Sequence, residues 1–145
     1  MCEVGTGSIK RRVMAAGLRV LHVDDEPDIR EIVQLSLGLD PGLVVHGCGS
    51  ASEAFATLAD WRPHLILLDV MMPIMDGPAM LREMRKVPAL ADIPVVFLTA
   101  RTQARDLEYL TSLGAMGVII KPFDVMTLAA TVRIHLKGSS SGLAH

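Results

Sequence analysis

Along the chain, short apolar runs alternate five times with stretches in which apolar residues recur at helical spacing. The first run, Leu18–Val23, ends in Asp24-Asp25-Glu26. Pro27 then stands where a first helical turn tolerates it, and Ile29, Ile32, Val33 and Leu37 follow on one helical face. Leu43–His46 predicts a second strand, and Ser50-Ala51-Ser52-Glu53 has the pattern of a capping box opening a helix with Ala54, Phe55 and Leu58. Leu65–Leu68 is apolar throughout, as befits a strand covered on both faces, and Asp69 follows it directly. A loop, Met71–Gly77, leads to a third helix with Pro78 near its first turn. Pro94–Leu98 is the fourth strand, ending at Thr99, and the helix after it carries Leu107, Leu110 and Leu113 and stops at Gly114. Val118–Ile120, the fifth strand, ends at Lys121-Pro122. The last helix is expected to begin near Asp124, with Val125, Leu128, Ala129, Val132 and Leu136 on one face.

Five βα units with short connections predict an α/β fold: a doubly wound, five-stranded parallel sheet with five helices on its two faces. One domain is expected over residues 18–137, without internal repeats. Residues 1–17 read as a loose arm in which Met14 offers an internal start, and the Ser/Gly-rich residues 138–145 read as a disordered tail. At 145 residues such a domain needs no metal or disulfide to build a core. Aromatics are only 3% of the chain, so Val, Ile, Leu, Met and Ala must fill that core. A net charge of -2 without a basic stripe argues against direct binding of nucleic acid. Cys2 and Cys48 make no disulfide framework, and no Cys/His cluster has zinc spacing, so a cytoplasmic location is expected. No apolar stretch approaches the ~20 residues that span a bilayer. The run after Lys10-Arg11-Arg12 is cut short by Arg19, too early for a secretory signal.

Chemistry enters with the placement of four polar residues. Asp24, Asp69, Thr99 and Lys121 each stand at or just past the C-terminal end of a different apolar run. In a parallel sheet those ends share one edge, where open α/β sheets bind ligands. Singly, each has an ordinary reading as a cap, a turn residue or a solvated charge. Jointly they do not, because caps need not collect at corresponding strand ends with complementary chemistry. Asp24, Asp25 and Asp69 in one crevice would repel unless a cation lay among them. Hard oxygen donors in small number suit Mg²⁺, which keeps several waters and accepts a phosphate oxygen. A hydroxyl and an ammonium on the same edge suit phosphoryl oxygens.

Four motifs, Asp24-Asp25-Glu26-Pro27, Asp69 through Gly77, Leu98-Thr99-Ala100 and Lys121-Pro122-Phe123, resemble those of a response-regulator receiver domain. The resemblance runs from about Leu18 to Leu136. It implies a flavodoxin-like sheet of order 2-1-3-4-5. Asp69 would be the nucleophile, taking a phosphoryl group from the phosphohistidine of a sensor histidine kinase or a histidine phosphotransfer protein. Asp25 would ligate Mg²⁺ together with Asp69 and the backbone carbonyl of Met71, and Asp24 would act through water. Lys121 would pair with the phosphoryl group and precede a cis bond to Pro122. Thr99 would be the switch hydroxyl, shifting a surface formed by helix four, strand five and helix five that engages a target protein or a second copy. The chain would catalyse only its own phosphorylation and slow dephosphorylation, and with no effector domain visible after helix five its output would pass through binding. Three positions depart from or vary within the family pattern. Val118 stands three residues before Lys121, where an aromatic is frequent, and Met71 and Arg101 flank the site where members vary in phosphoryl lifetime.

Other readings fit less of the chain. Gly47-Cys48-Gly49-Ser50-Ala51-Ser52 approaches a dinucleotide fingerprint, but its third glycine is Ser52, and a tight turn into a capped helix suffices. An aspartyl phosphatase would need an acid/base two residues after Asp69, where Met71 stands. A binding module without phosphorylation would have no use for the acceptor, acids, hydroxyl and ammonium together. His22 and His64 lack partners at ligand spacing and read as core or solvated. Met71, Met72 and Met75 read as loop packing, and Trp61 as an anchor at the end of helix two.

Overall fold

Runs too apolar to face water on either side lie next to one another as a parallel sheet in the computed structural model, which describes residues 17–144. The strands are β1 (Leu18–Val23), β2 (Leu43–Cys48), β3 (Leu65–Asp69), β4 (Val95–Thr99) and β5 (Gly117–Ile120). Their order is β2-β1-β3-β4-β5, every neighbouring pair parallel, as expected. The helices between and after them are α1 (Pro27–Leu37), α2 (Ala51–Leu58), α3 (Gly77–Arg85), α4 (Ala104–Ser112) and α5 (Leu128–Ala144).

The two-residue period of the strands feeds two cores. On one face Leu21, Val23, Ile66, Leu68 and Phe97 pack with residues of α2, α3 and α4, such as Leu58, Met80 and Leu110. On the other, Val20, Leu65, Leu67, Val96 and Leu98 pack with Val33 and Leu37 of α1 and Leu128 and Val132 of α5. Every residue of β3 and β4 is buried. Phe97 is the one aromatic among the buried core residues described, so branched aliphatics and methionine do fill the interior.

Several boundaries differ from the pattern. β2 continues past His46 because Gly47 and Cys48 stay in register with His22 and Val23. Asp69 is the last residue of β3, opposite Leu98, rather than the first residue beyond it. The last helix starts at Leu128, not near Asp124. Residues 125–127 form turns after Asp124, whose carboxylate accepts the Met126 N–H at 2.8 Å and whose carbonyl accepts the Thr127 and Leu128 N–H at 3.1 and 3.0 Å, and Val125 is left exposed. At the other end, α5 continues to Ala144, through residues 138–144 of the expected tail. Gly and Ser weaken a helix without stopping it, and no proline follows Pro122. Residues 1–16 of the expected arm lie outside the described residues. Among those described, no helix is long and apolar enough to cross a membrane.

Candidate functional site

The parallel register brings the ends of β1, β3, β4 and β5 to one edge, and the polar residues that close these strands come with them. Asp24, Asp69 and Thr99 are all buried, at 0%, 5% and 2% exposure. Asp24, Asp25 and Asp69 each present a carboxylate oxygen within 4.8 Å of the others. The Lys121 ammonium donates to Asp69 Oδ1 at 2.8 Å and to Asp24 Oδ2 at 3.3 Å. One ammonium therefore bridges two of three clustered acids.

The electrostatics follow from that imbalance. Burial pushes the Asp69 carboxyl above its usual range; the Lys121 hydrogen bond opposes this, but the charges of Asp24 and Asp25 add to burial. Burial acts on Asp24 too, yet the neighbouring His22 imidazole, the Glu26 amide and Lys121 outweigh it and hold its carboxyl low. Burial would depress the Lys121 ammonium, but its bonds to Asp69 and Asp24 raise it instead. Three oxygen donors short of positive charge fit a small hard divalent cation such as Mg²⁺.

The loop after β3 holds Asp69 in place. Gly77 opens α3 so close to β3 that a Cβ there would collide with the Asp69 carbonyl oxygen, and its N–H donates to Val70 O at 3.0 Å. Asp76 caps α3, accepting the Ala79 N–H at 2.9 Å. Ile74, at the loop's tip, has φ 70°, a conformation rare for a β-branched residue. The Lys121–Pro122 bond is cis, in agreement with the expectation from the resemblance. Thr99 Oγ1 accepts the Arg101 N–H at 3.0 Å. The Arg101 guanidinium lies toward α4, 3.9 Å from Asp106, and a cavity of about 250 Å³ between Met71, Thr99, Arg101 and Tyr109 opens beside it.

The structure thus gathers Asp24, Asp69 and Lys121 in direct contact, with Asp25 beside them and Thr99 on the same edge. Met71 stands in the adjoining loop with its side chain 62% exposed, so the reading of that side chain as loop packing is corrected. The loop leaves the sheet there, and Met72 and Met75 make the core contacts instead. Glu53 accepts the Gly49 N–H and gives its own N–H to Ser50 Oγ, which accounts for the glycine-rich turn as a helix cap. His64 is exposed and accepts the Arg19 N–H at 2.9 Å. Trp61 lies past the end of α2, half-buried against the core, its ring 5.6 Å from that of His46. His22 is the residue that ligand spacing missed. It is 1% exposed, with Nε2 3.7 Å from Asp24 Oδ2. The available signal was strand period: a residue two before Asp24 on β1 shares its face.

Residues 20–133 match the family model described as the response regulator receiver domain. Response regulator Rre1 of Synechocystis sp. is 38% identical over 120 residues, which cover 83% of this chain and 52% of that protein. DNA-binding response regulator MtrA of Mycolicibacterium smegmatis is 35% identical over 122 residues, 82% of this chain and 50% of that one. The chain spans about half the length of these relatives. Among solved structures, chemotaxis response regulator CheY4 of Vibrio cholerae aligns with a TM-score of 0.75 and 31% identity, covering 82% of this chain and 98% of its own.

Proposed function

The chain belongs to the response regulator receiver domain family of two-component signalling, and on that premise we propose that Asp69 accepts a phosphoryl group from a phosphohistidine in a Mg²⁺-dependent reaction. The observation that carries this reading is the clustering of the Asp24, Asp25 and Asp69 carboxylates, two of which share the ammonium of Lys121. An oxygen of Asp69 attacks phosphorus and forms an acyl phosphate. The P–N bond breaks, and its electron pair stays on the imidazole of the donor. Asp25, Asp69 and the backbone carbonyl of Met71 would hold the cation, with Asp24 acting through water. Bound Mg²⁺ supplies the positive charge that lets the acids coexist and that offsets the charge of the incoming group.

Lys121 then pairs with the phosphoryl oxygens instead of dividing itself between two carboxylates. Thr99 Oγ1 only accepts from Arg101, so its O–H is free to donate to the same group. Moving toward it, Thr99 would carry the end of β4 and shift the α4–β5–α5 surface. The phosphoryl donor on this reading is a histidine kinase or histidine phosphotransfer protein. The recipient of the signal is a target protein or a second copy, met in the cytoplasm without direct contact to nucleic acid.

Acetyl phosphate with Mg²⁺ should place one alkali-labile label on the protein. Asp69→Asn should remove it while the fold survives. Asp25→Ala should lose both Mg²⁺ affinity and label, whereas Lys121→Ala should keep most of its metal affinity. Undiminished labelling of Asp69→Asn would sink the assignment.

A further inference from the structure

His22 Nε2 is, among the described residues, the one buried side-chain polar atom without a hydrogen-bond partner. Such atoms are rare because an unspent donor has given up water for nothing. It is not in an apolar corner. The strand period puts Val20, His22 and Asp24 on the face of β1 that α1 and α5 cover, and Nε2 lies 3.7 Å from Asp24 Oδ2. That separation is beyond a hydrogen bond.

The other contacts of Asp24 say why the gap exists. Oδ1 is committed to the Glu26 N–H at 2.9 Å, and the backbone carbonyl accepts from the Arg30 guanidinium at 2.6 Å. Oδ2 has only Lys121, at 3.3 Å, and Lys121 is held closer by Asp69, at 2.8 Å. When the ammonium moves over to a phosphoryl group, Oδ2 loses its one donor. The nearest unspent donor is then His22.

We propose that His22 is a positioning residue for the acidic pocket, its Nε2–H donating to Asp24 Oδ2 when Lys121 leaves and keeping that carboxylate turned toward the cation. The inference rests on the Mg²⁺-dependent phosphoacceptor reading. A neutral imidazole protonated on Nε2 suffices, since it adds a donor without adding charge. Groups that orient metal-binding carboxylates commonly control affinity by about ten- to a hundredfold.

The test compares wild type, His22→Leu, which fills the space without a donor, and His22→Gln, which keeps an amide N–H at similar reach. With beryllofluoride present as the phosphoryl mimic, Mg²⁺ titration followed by NMR should show binding about tenfold weaker in His22→Leu and within about twofold of wild type in His22→Gln. In wild type, ¹⁵N spectra of the imidazole should show the proton on Nε2, with its resonance moving when Mg²⁺ and beryllofluoride are added. Three results overturn the proposal: His22→Leu that binds like wild type, His22→Gln as weak as His22→Leu, or an Nε2 that carries no proton. Should His22→Leu fail to fold, the glutamine variant and the imidazole spectrum decide alone. Wild type that takes up Mg²⁺ and label while His22→Leu matches it sinks this inference only; wild type that takes up neither sinks the phosphoacceptor reading with it.

Discussion

Gly77→Ala tests whether the acceptor aspartate is held by close packing of backbone on backbone. A Cβ at Gly77 would collide with the Asp69 carbonyl oxygen, and the Phe97 ring and Val70 Cα would each lie 3.1 Å away. Two of those three neighbours are main chain, so no rotamer change relieves the contact. Either the end of β3 or the first turn of α3 must shift, and the Gly77 N–H bond to Val70 O ties the two together. Overpacking of this kind costs about 1–3 kcal/mol, with a rigid backbone contact at the upper end. Alanine recovers roughly 0.4–1 kcal/mol through a less flexible unfolded chain. The net expectation is a loss of about 1–2 kcal/mol. Gly117→Ala is the matched control: there the three atoms nearest the added Cβ all belong to the ring of His135, a side chain that can turn away. Its cost should stay within about 0.5 kcal/mol. Urea unfolding followed by circular dichroism measures both, provided the slopes agree. Because displacement of Asp69 also lengthens its 2.8 Å contact with Lys121, Gly77→Ala should label more slowly with acetyl phosphate than Gly117→Ala. Equal stability of Gly77→Ala and wild type, or equal losses in the two variants, would refute the reasoning.

Two further outcomes can be measured on the same protein. Under the proposed function, Met71 and Arg101, which line one cavity with Thr99, would flank the approach of water to the phosphorus, and neither offers a group that activates water. Met71→Asn combined with Arg101→Ser should therefore speed loss of label after donor removal by about tenfold, equivalent to roughly 1.4 kcal/mol of barrier, and unchanged decay would count against that guard role. The Arg133 guanidinium grips Asp40 at 2.8 and 2.9 Å and, with the Gly42 N–H, lowers its carboxyl to about 2. A folded pKa below the unfolded value of about 3.9 means the pair stabilises above that value, and the benefit fades as pH falls from about 4 toward 2. Asp40→Asn should thus cost up to about 1 kcal/mol at pH 7, discounted for solvent screening, with the gap to wild type closing in acid. A gap independent of pH would contradict this.

The sheet and most of the site were legible because each site residue abuts an apolar run, and parallel topology turns run-ends into neighbours. Asp24, Asp69, Thr99 and Lys121 needed no more than that. What the pattern hid lies in the turns and loops between the runs. Asp124 lies on a good helical pattern, yet residues 125–127 form turns and α5 begins at Leu128. The exposure of Met71 depends on where the loop leaves β3, which periodicity does not encode. His22 was passed over because partners were sought by ligand spacing along the chain, whereas it faces Asp24, 3.7 Å away, through the pleat of β1.

Val118 makes the route out of the site a question of backbone. An aromatic at that position could swing and report the state of Thr99 by itself; the valine is half-buried against the core and has no such reach. The structure offers a shorter link. The Lys121 N–H donates to the Thr99 carbonyl at 2.7 Å, so the two residues that would turn toward a phosphoryl group are already tied through main chain. Thr99 leads directly toward α4, and Lys121 opens the loop into α5. That loop is in turn held to α1, since Ser36 Oγ donates to the Val125 carbonyl. Under the proposed function, contraction of Thr99 and Lys121 toward Asp69 would pull both connections together. The α4–β5–α5 surface would then respond as a unit, with α1 resisting through Ser36. A readout of this kind needs no aromatic, only the β4–β5 ladder and the loop that continues from it.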